Sequence, residues 1–251
     1  MREKEKNKLF GLLGKNIAYS FSRGYFSEKF KELGLENYNY INFDLNKIED
    51  FPSVIKKSEH LKGMNVTIPY KEDVIPFLNE LDKTAEEIGA VNTIKFSKNG
   101  NLKGYNTDVF GFENSIRPLL QKQHKNALIL GTGGASKAIA YALKKNDIEF
   151  KFVSRNPKGN KEISYDSLTK EKIQKYTIII NATPLGTSPD IEKCPNIPYQ
   201  HITTKHILYD LIYNPARTTF LSKGKEMGAT VKNGLEMLQL QAEESWRVWK
   251  D

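Results

Sequence analysis

Residues 127–130 read Ala-Leu-Ile-Leu, and Gly131-Thr132-Gly133-Gly134-Ala135-Ser136 follows directly, opening an amphipathic helix over 136–145. A short apolar run that ends in a glycine-rich turn and feeds a helix commits this part of the chain to a strand–turn–helix unit. The first glycine makes the tight turn, and the second lets a pyrophosphate approach the backbone. Ser136 is small enough to stand where a third glycine often packs helix on strand. Free N–H groups at the helix start then hold phosphates. A glycine-rich loop alone is also an ordinary turn; the flanking strand and helix favour the dinucleotide reading. Further strands are expected at 150–153, 177–180, 207–210 and 229–232, with helices at 170–174, 218–227 and 235–250. Strands alternating with helices imply a parallel sheet.

The strand after the glycine loop ends at Val153, where an NAD-binding chain would carry an acid for the ribose 2′-hydroxyl. Here the residues are Ser154-Arg155-Asn156, with Lys158 just beyond. A guanidinium suits a 2′-phosphate. A surface Arg at a strand end is the plainer alternative, but its place beside the expected ribose favours NADP.

The first half is also mixed α/β. Strands are expected at 8–13, 38–43, 63–68, 91–96 and 103–105, and helices at 20–33, 49–58, 71–78 and 82–88. Phe26, Phe30 and Leu33 share one helical face, Gly34 stops that helix, and Asn99-Gly100 signals a hairpin. Gly63-Met64-Asn65-Val66-Thr67-Ile68-Pro69-Tyr70-Lys71 puts an amide, a hydroxyl and a primary amine close together. Such a segment can handle an oxygen on a small substrate; a strand-to-helix turn with a solvated Lys is the bland alternative.

With 251 residues there is room for two ordinary domains, and a hydrophobic share of 39% supports real cores. No apolar run approaches the roughly 18 residues of a membrane span. The mixed charges of residues 1–6 do not make a signal peptide. Cys194 has no partner cysteine, and His60, His124, His201 and His206 lack metal-ligand spacing, so no metal is expected. The net charge of +8 comes from lysines interspersed with acids, which favours solubility over nucleic-acid binding. A cytoplasmic protein, monomer or homodimer, with a small-molecule substrate and no membrane or nucleic-acid partner is the expectation.

The motifs, taken in order, resemble the shikimate dehydrogenase family across nearly the whole chain. Gly63 to Lys71 is similar to its GxNVTxPxK segment, Gly89-Ala90-Val91-Asn92-Thr93 to GAVNT, and Gly104-Tyr105-Asn106-Thr107-Asp108 to GxNTD. Gly131 to Ala135 resembles its GxGGA loop, and Asn181-Ala182-Thr183-Pro184-Leu185-Gly186 its NATPLG turn. Asp210-Leu211-Ile212-Tyr213-Asn214-Pro215 and Gly234-Leu235-Glu236-Met237-Leu238 resemble its last two motifs. The family's HSxSP turn appears as Tyr19-Ser20-Phe21-Ser22-Arg23, with both serines kept and the His and Pro replaced. Its Asn-Arg-Thr cofactor turn appears as Ser154-Arg155-Asn156, with the Arg kept.

The resemblance implies two α/β domains. Residues 1–107 with 233–251 would form a substrate-binding α/β domain, and 108–232 a Rossmann-like, doubly wound NADP-binding domain, with the active site in the cleft between them. It implies reversible NADPH-dependent reduction of 3-dehydroshikimate to shikimate. Lys71 and Asp108 match the catalytic pair; a solvated lysine and a helix N-cap are their plainer readings. Ser20 and Ser22 would hold the substrate carboxylate, though an N-cap suits serine equally. Thr67 and Tyr213 can donate to it. Asn65, Asn92 and Gln241 suit ring hydroxyls, and a buried Asn65 could instead be structural. Gly131, Thr132, Gly133, Gly134 and Ala135 would bind cofactor phosphates, and Ser154, Arg155 and Asn156 the adenosine end. Thr183, Leu211 (through its backbone) and Gly234 would lie near the nicotinamide. Two alternatives stay open: a quinate/shikimate enzyme, or a non-catalytic cofactor sensor on the same fold. The sensor reading predicts loss of the Lys–Asp pair, and both residues are present.

Overall fold

The opening strand, β1 (Lys8–Gly14), is buried over its last five residues and pairs on both sides. The computed structural model describes residues 7–18 and 20–251; the replacement at Tyr19 lies outside the described residues. Two compact units emerge, one formed by residues up to Thr107 with Ala242–Asp251, the other by Asp108–Gln241.

The first unit contains β1, α1 (Phe21–Glu32), β2 (Tyr38–Asp44), α2 (Phe51–Lys57), β3 (Leu61–Val66), β4 (Glu80–Leu81), α3 (Lys83–Ile88), β5 (Thr93–Phe96) and β6 (Leu102–Tyr105). Its sheet runs β2-β1-β3-β5-β6-β4, parallel between β1 and its neighbours and antiparallel at β3–β5 and β5–β6. One hydrophobic cluster gathers Leu13, Phe51, Met64, Val74 and Ile94. The other joins Phe10, Phe26 and Phe30 to Trp246 and Trp249 from the end of the chain. Asp82 caps α3 by accepting from Thr84 and Ala85 N–H, and Gly89 closes it in the left-handed conformation.

The helix expected over 71–78 does not form. Turns run through 70–74, followed by a single 3-10 turn at Ile75–Phe77. Pro76 has no N–H to donate and disfavours helical backbone at Ile75. The helix expected over 49–58 is split into a 3-10 turn, Ile48–Asp50, and α2, whose first turn accommodates Pro52.

The second unit contains α4 (Asp108–Ile116), β7 (Asn126–Leu130), α5 (Gly134–Lys145), β8 (Glu149–Ser154), β9 (Glu162–Ser164), α6 (Lys170–Lys175), β10 (Ile178–Asn181), β11 (Ile207–Asp210), α7 (Thr219–Glu226), β12 (Thr230–Lys232) and the start of α8 (Leu235–Lys250). Its sheet is parallel throughout, in the order β12-β11-β10-β7-β8-β9. The winding reverses between β7 and β10. At such a switch point the loops leaving neighbouring strands diverge and open a crevice at their carboxyl ends. β7, β10 and β11 are buried along nearly their whole length, as a sheet covered on both faces requires.

The expected return to the first unit is at Asn233, whereas the units part between Gln241 and Ala242, inside α8. The first turns of α8 lie tightly on α4: a Cβ on Gly111 would fall 2.5 Å from the Met237 carbonyl oxygen and 3.1 Å from Gln241 Cβ.

Candidate active site

In the second unit the turn after β7 sits at the switch point. Gly131 has φ +106°, a left-handed conformation that glycine alone adopts cheaply. A Cβ there would also press on Ala182 and Thr183, at 3.2 Å from the Ala182 carbonyl oxygen. On Gly133 a Cβ would meet nothing within 4 Å, so the backbone is bare on that side. Gly133 is the N-cap of α5 and brings no side chain to cap it, while Ser136 folds back to donate to the Gly133 carbonyl at 2.6 Å. Uncapped N–H groups behind a bare glycine surface, with Thr132, Gly134 and Ala135 alongside, fit a pyrophosphate. At the end of β8, Asn156 N–H donates to Ser154 Oγ at 3.2 Å, which curls the turn and leaves Arg155 exposed.

The turn after β10 is built around Asn181. Its Oδ1 accepts from Thr183 N–H at 3.1 Å and from the Thr183 hydroxyl at 2.6 Å. Leu211 N–H donates to the Asn181 carbonyl at 3.0 Å. The close approach that needs glycine at 234 is made to Leu211, whose carbonyl oxygen would lie 2.1 Å from a Cβ. The fold thus brings Gly131, Thr183, Leu211 and Gly234 into one set of adjoining loops. Tyr213 is half-buried, and that burial raises its phenol above the ordinary range. Buried Gln241 donates from Nε2 to the Leu238 carbonyl at 2.9 Å. Asp108 is the first residue of α4 and is buried, an acid in the helix's positive first turn rather than a flanking cap.

In the first unit, Ser20 is the N-cap residue of α1, with φ −68° and ψ 127°, yet its side chain makes no capping bond. Its Oγ is buried and has no hydrogen-bond partner. A buried hydroxyl left unpaired costs on the order of 1–3 kcal/mol, so Ser20 is better suited to a ligand than to its helix. Ser22 is buried at the second position of the same helix, and burial pushes the Tyr40 phenol well above its ordinary range against the hydrogen bond with Ser22 that lowers it. Thr67 follows β3 half-buried, its N–H donating to Leu13 at 2.8 Å. Lys71 is half-buried, and its carbonyl accepts from Val91 N–H at 2.7 Å.

Asn65 and Asn92 are brought together, but inside a buried polar network. The Tyr40 hydroxyl donates to Asn65 Oδ1 at 2.8 Å, and Asn65 Nδ2 donates to Ser245 Oγ at 2.9 Å and Thr93 Oγ1 at 3.2 Å. Asn92 accepts from Thr107 N–H at 2.7 Å and donates to its hydroxyl at 3.0 Å. Asn65, at 3% exposure, ties β3 to the last helix through Ser245.

Residues 12–94 match the model of the shikimate dehydrogenase substrate binding domain. A shikimate dehydrogenase (NADP(+)) of Methanococcus vannielii is 37% identical, over 97% of this chain and 92% of its own. The enzyme of the same name from Clostridium botulinum is 38% identical, over 95% of both chains. The chain belongs to the shikimate dehydrogenase family. A shikimate 5-dehydrogenase from Thermus thermophilus, solved in complex with NADP(H) and shikimate, superposes with a TM-score of 0.85 at 31% identity, over 96% of this chain and 93% of its own.

Three residues of this shikimate dehydrogenase family member stand out although the sequence reading gave them no role: Ser245, Asn181 and Asp210. Ser245 lies four residues from both Gln241 and Trp249, all buried on one stripe of α8, and that spacing was the available signal. Asn181 and Asp210 are polar residues ending otherwise apolar strands, where a side chain reaches the crevice end of a parallel sheet. Among the described residues no three His, Cys, Asp or Glu side chains gather to hold a metal, and no helix is long and apolar enough to cross a membrane.

Proposed function

We propose that this protein catalyses the reversible NADPH-dependent reduction of 3-dehydroshikimate to shikimate, a step toward chorismate and the aromatic amino acids. The carrying observation is the full-length likeness to NADP(+)-dependent shikimate dehydrogenases at 37% identity. The bare Gly133 surface at the uncapped start of α5 supports it from the structure.

Gly131 to Ala135 hold the pyrophosphate through backbone N–H groups, and Arg155 pairs with the 2′-phosphate. Thr183, the Leu211 backbone and Gly234 line the path of the nicotinamide. NADPH supplies the hydride. Ser20 and Ser22 bind the substrate carboxylate, to which the hydroxyls of Thr67 and Tyr213 can also donate. The amides of Asn65, Asn92 and Gln241 supply donors and acceptors for the ring hydroxyls. Lys71 gives a proton to the ring carbonyl oxygen as hydride reaches the carbon, so the C=O becomes CH–OH; Asp108 orients that oxygen and the lysine. In the oxidative direction Lys71 takes the proton back.

The decisive experiment follows NADPH absorbance while shikimate and quinate are crossed with NADP and NAD. Shikimate with NADP should be the preferred pair. A preference for quinate or for NAD would replace this assignment with the related activity, and no turnover on any pair would leave a cofactor-binding protein. The carboxylate subsite is tested separately: a Ser20→Ala/Ser22→Ala variant should bind shikimate far more weakly and NADP normally. An unchanged shikimate dissociation constant by calorimetry would move the carboxylate elsewhere.

A further inference from the structure

Asp210 ends β11 with no exposed surface, and its carboxylate is bonded wholly within its own unit. Oδ1 accepts from Asn181 Nδ2 at 3.0 Å and from Ile212 N–H at 3.0 Å. Oδ2 accepts from the Thr218 hydroxyl at 2.6 Å. Each partner belongs to a different loop element. Asn181 in turn fixes Thr183 through two bonds, and Thr183 Oγ1 accepts from Leu185 N–H at 3.3 Å. Ile212 follows Leu211 directly and accepts from Gly234 N–H at 3.1 Å. Thr218 Oγ1 caps α7 by accepting from Leu221 N–H at 3.3 Å. The turn after β10, the turn after β11 and the start of α7 therefore all hang from one carboxylate. Taking a carboxylate fully out of water is expensive, and a neutral side chain could fill the same space more cheaply. What the charge adds is strong, directional acceptance of three donors at once.

We propose that Asp210 is a positioning residue for the nicotinamide end of the cofactor, acting through Asn181 and Ile212 to set where Thr183 and Leu211 present their polar atoms. This rests on the reading that Thr183 and Leu211 line the nicotinamide path. The pyrophosphate turn, Gly131 to Ala135, and Arg155 at the adenosine end lie on other loops, to which the Asp210 carboxylate makes none of these three bonds.

Asp210→Asn separates charge from shape. An amide oxygen still accepts from both N–H donors, and its NH2 faces Thr218 Oγ1, which can turn to accept. The measurement is the dissociation constant, on the intact protein, of NADP and of 2′-phospho-ADP-ribose, the same molecule without nicotinamide. Asp210→Asn should weaken NADP roughly tenfold and leave the fragment unchanged. The deuterium isotope effect on kcat should rise as the hydride donor is held less well. Thr218→Val, which removes the bond to Oδ2 together with the cap on Leu221 N–H but keeps the carboxylate, should give a smaller loss of the same selective kind and serves if the first variant folds poorly. Equal weakening of both ligands would show a merely structural residue and overturn the proposal, as would no weakening of either. Thr183→Ala tests the underlying reading: if it leaves NADP affinity intact while Asp210→Asn lowers it, the loop assignment fails. If Thr183→Ala weakens NADP and Asp210→Asn does not, the role of Asp210 fails.

Discussion

The indole of Trp249 lies flat against Gly63: a Cβ on that glycine would fall 2.3 Å from Nε1, which meanwhile donates to the Ile94 carbonyl at 3.0 Å. The glycine of the GxNVTxPxK segment therefore serves packing rather than a turn. Gly63→Ala should destabilise the first unit by about 1–3 kcal/mol, the usual cost of overpacking a full core. Urea unfolding followed by tryptophan fluorescence would read this directly. A midpoint equal to the parent's would mean that the ring can slide aside without loss.

Removing the proposed acid should slow chemistry without loosening the fold. Lys71→Met should lower kcat by about 10²–10⁴-fold and leave NADP affinity nearly intact. The Michaelis constant for shikimate should change less, because proton transfer is realised in the transition state. Asp108→Asn should impair the same step, and the double variant should lose less than the product of the single effects. Near-normal kcat with weakened shikimate binding in Lys71→Met would recast the lysine as a binding group.

Arg155 is exposed at the end of β8, so its ion pair with a phosphate is partly screened by solvent. Arg155→Ala should raise the Michaelis constant for NADP at the low end of a charge-assisted bond, about 1.5 kcal/mol or roughly tenfold. NAD should be affected little. A matching loss with both cofactors would show that the guanidinium does not read the 2′-phosphate.

Burial pushes the Asp210 carboxyl up to about 6, against the bonds from Thr218, Ile212 and Asn181 that lower it. A carboxyl raised in the folded state favours folding at low pH, and that contribution is lost as pH rises through the folded value. Holding Asp210 ionised at pH 8 therefore costs up to about 3 kcal/mol relative to an unfolded-state value near 3.9. Asp210→Asn avoids that cost. It should be more stable than the parent at pH 8, with the difference shrinking as pH falls from about 6 towards 4. A variant less stable than the parent at pH 8 would mean that the three bonds outweigh the desolvation.

The parts of the fold readable in the sequence are those governed by local pattern. The range expected for α8, 235–250, matches the helix formed, Leu235–Lys250, because its apolar stripe is continuous and Gly234 marks its start. The strand before Gly131 and the helix after it were equally legible. At 71–78 the helical pattern was overruled by Pro76. The short edge strands β4 and β9 carry too few residues for any periodicity. The site was legible only residue by residue. Asn65 reads as a substrate amide from its motif, and its bond to Ser245, 180 positions away, is announced by no local pattern. Asp210 was hidden for the same reason, since its meaning lies in bonds to Asn181 and Thr218 on separate turns.

The first unit takes its last ten residues from the far end of the chain, and they include Trp246 and Trp249, which complete the aromatic cluster around Phe10, Phe26 and Phe30. Domains ordinarily fold in the order in which they leave the ribosome. Here that order is inverted. All of Asp108–Gln241 is synthesised before the closing tryptophans exist, so the second unit can finish while the first still shows an open apolar face. The segment made first is the one that must wait, because its core stays open until Trp246 and Trp249 are made and reach it.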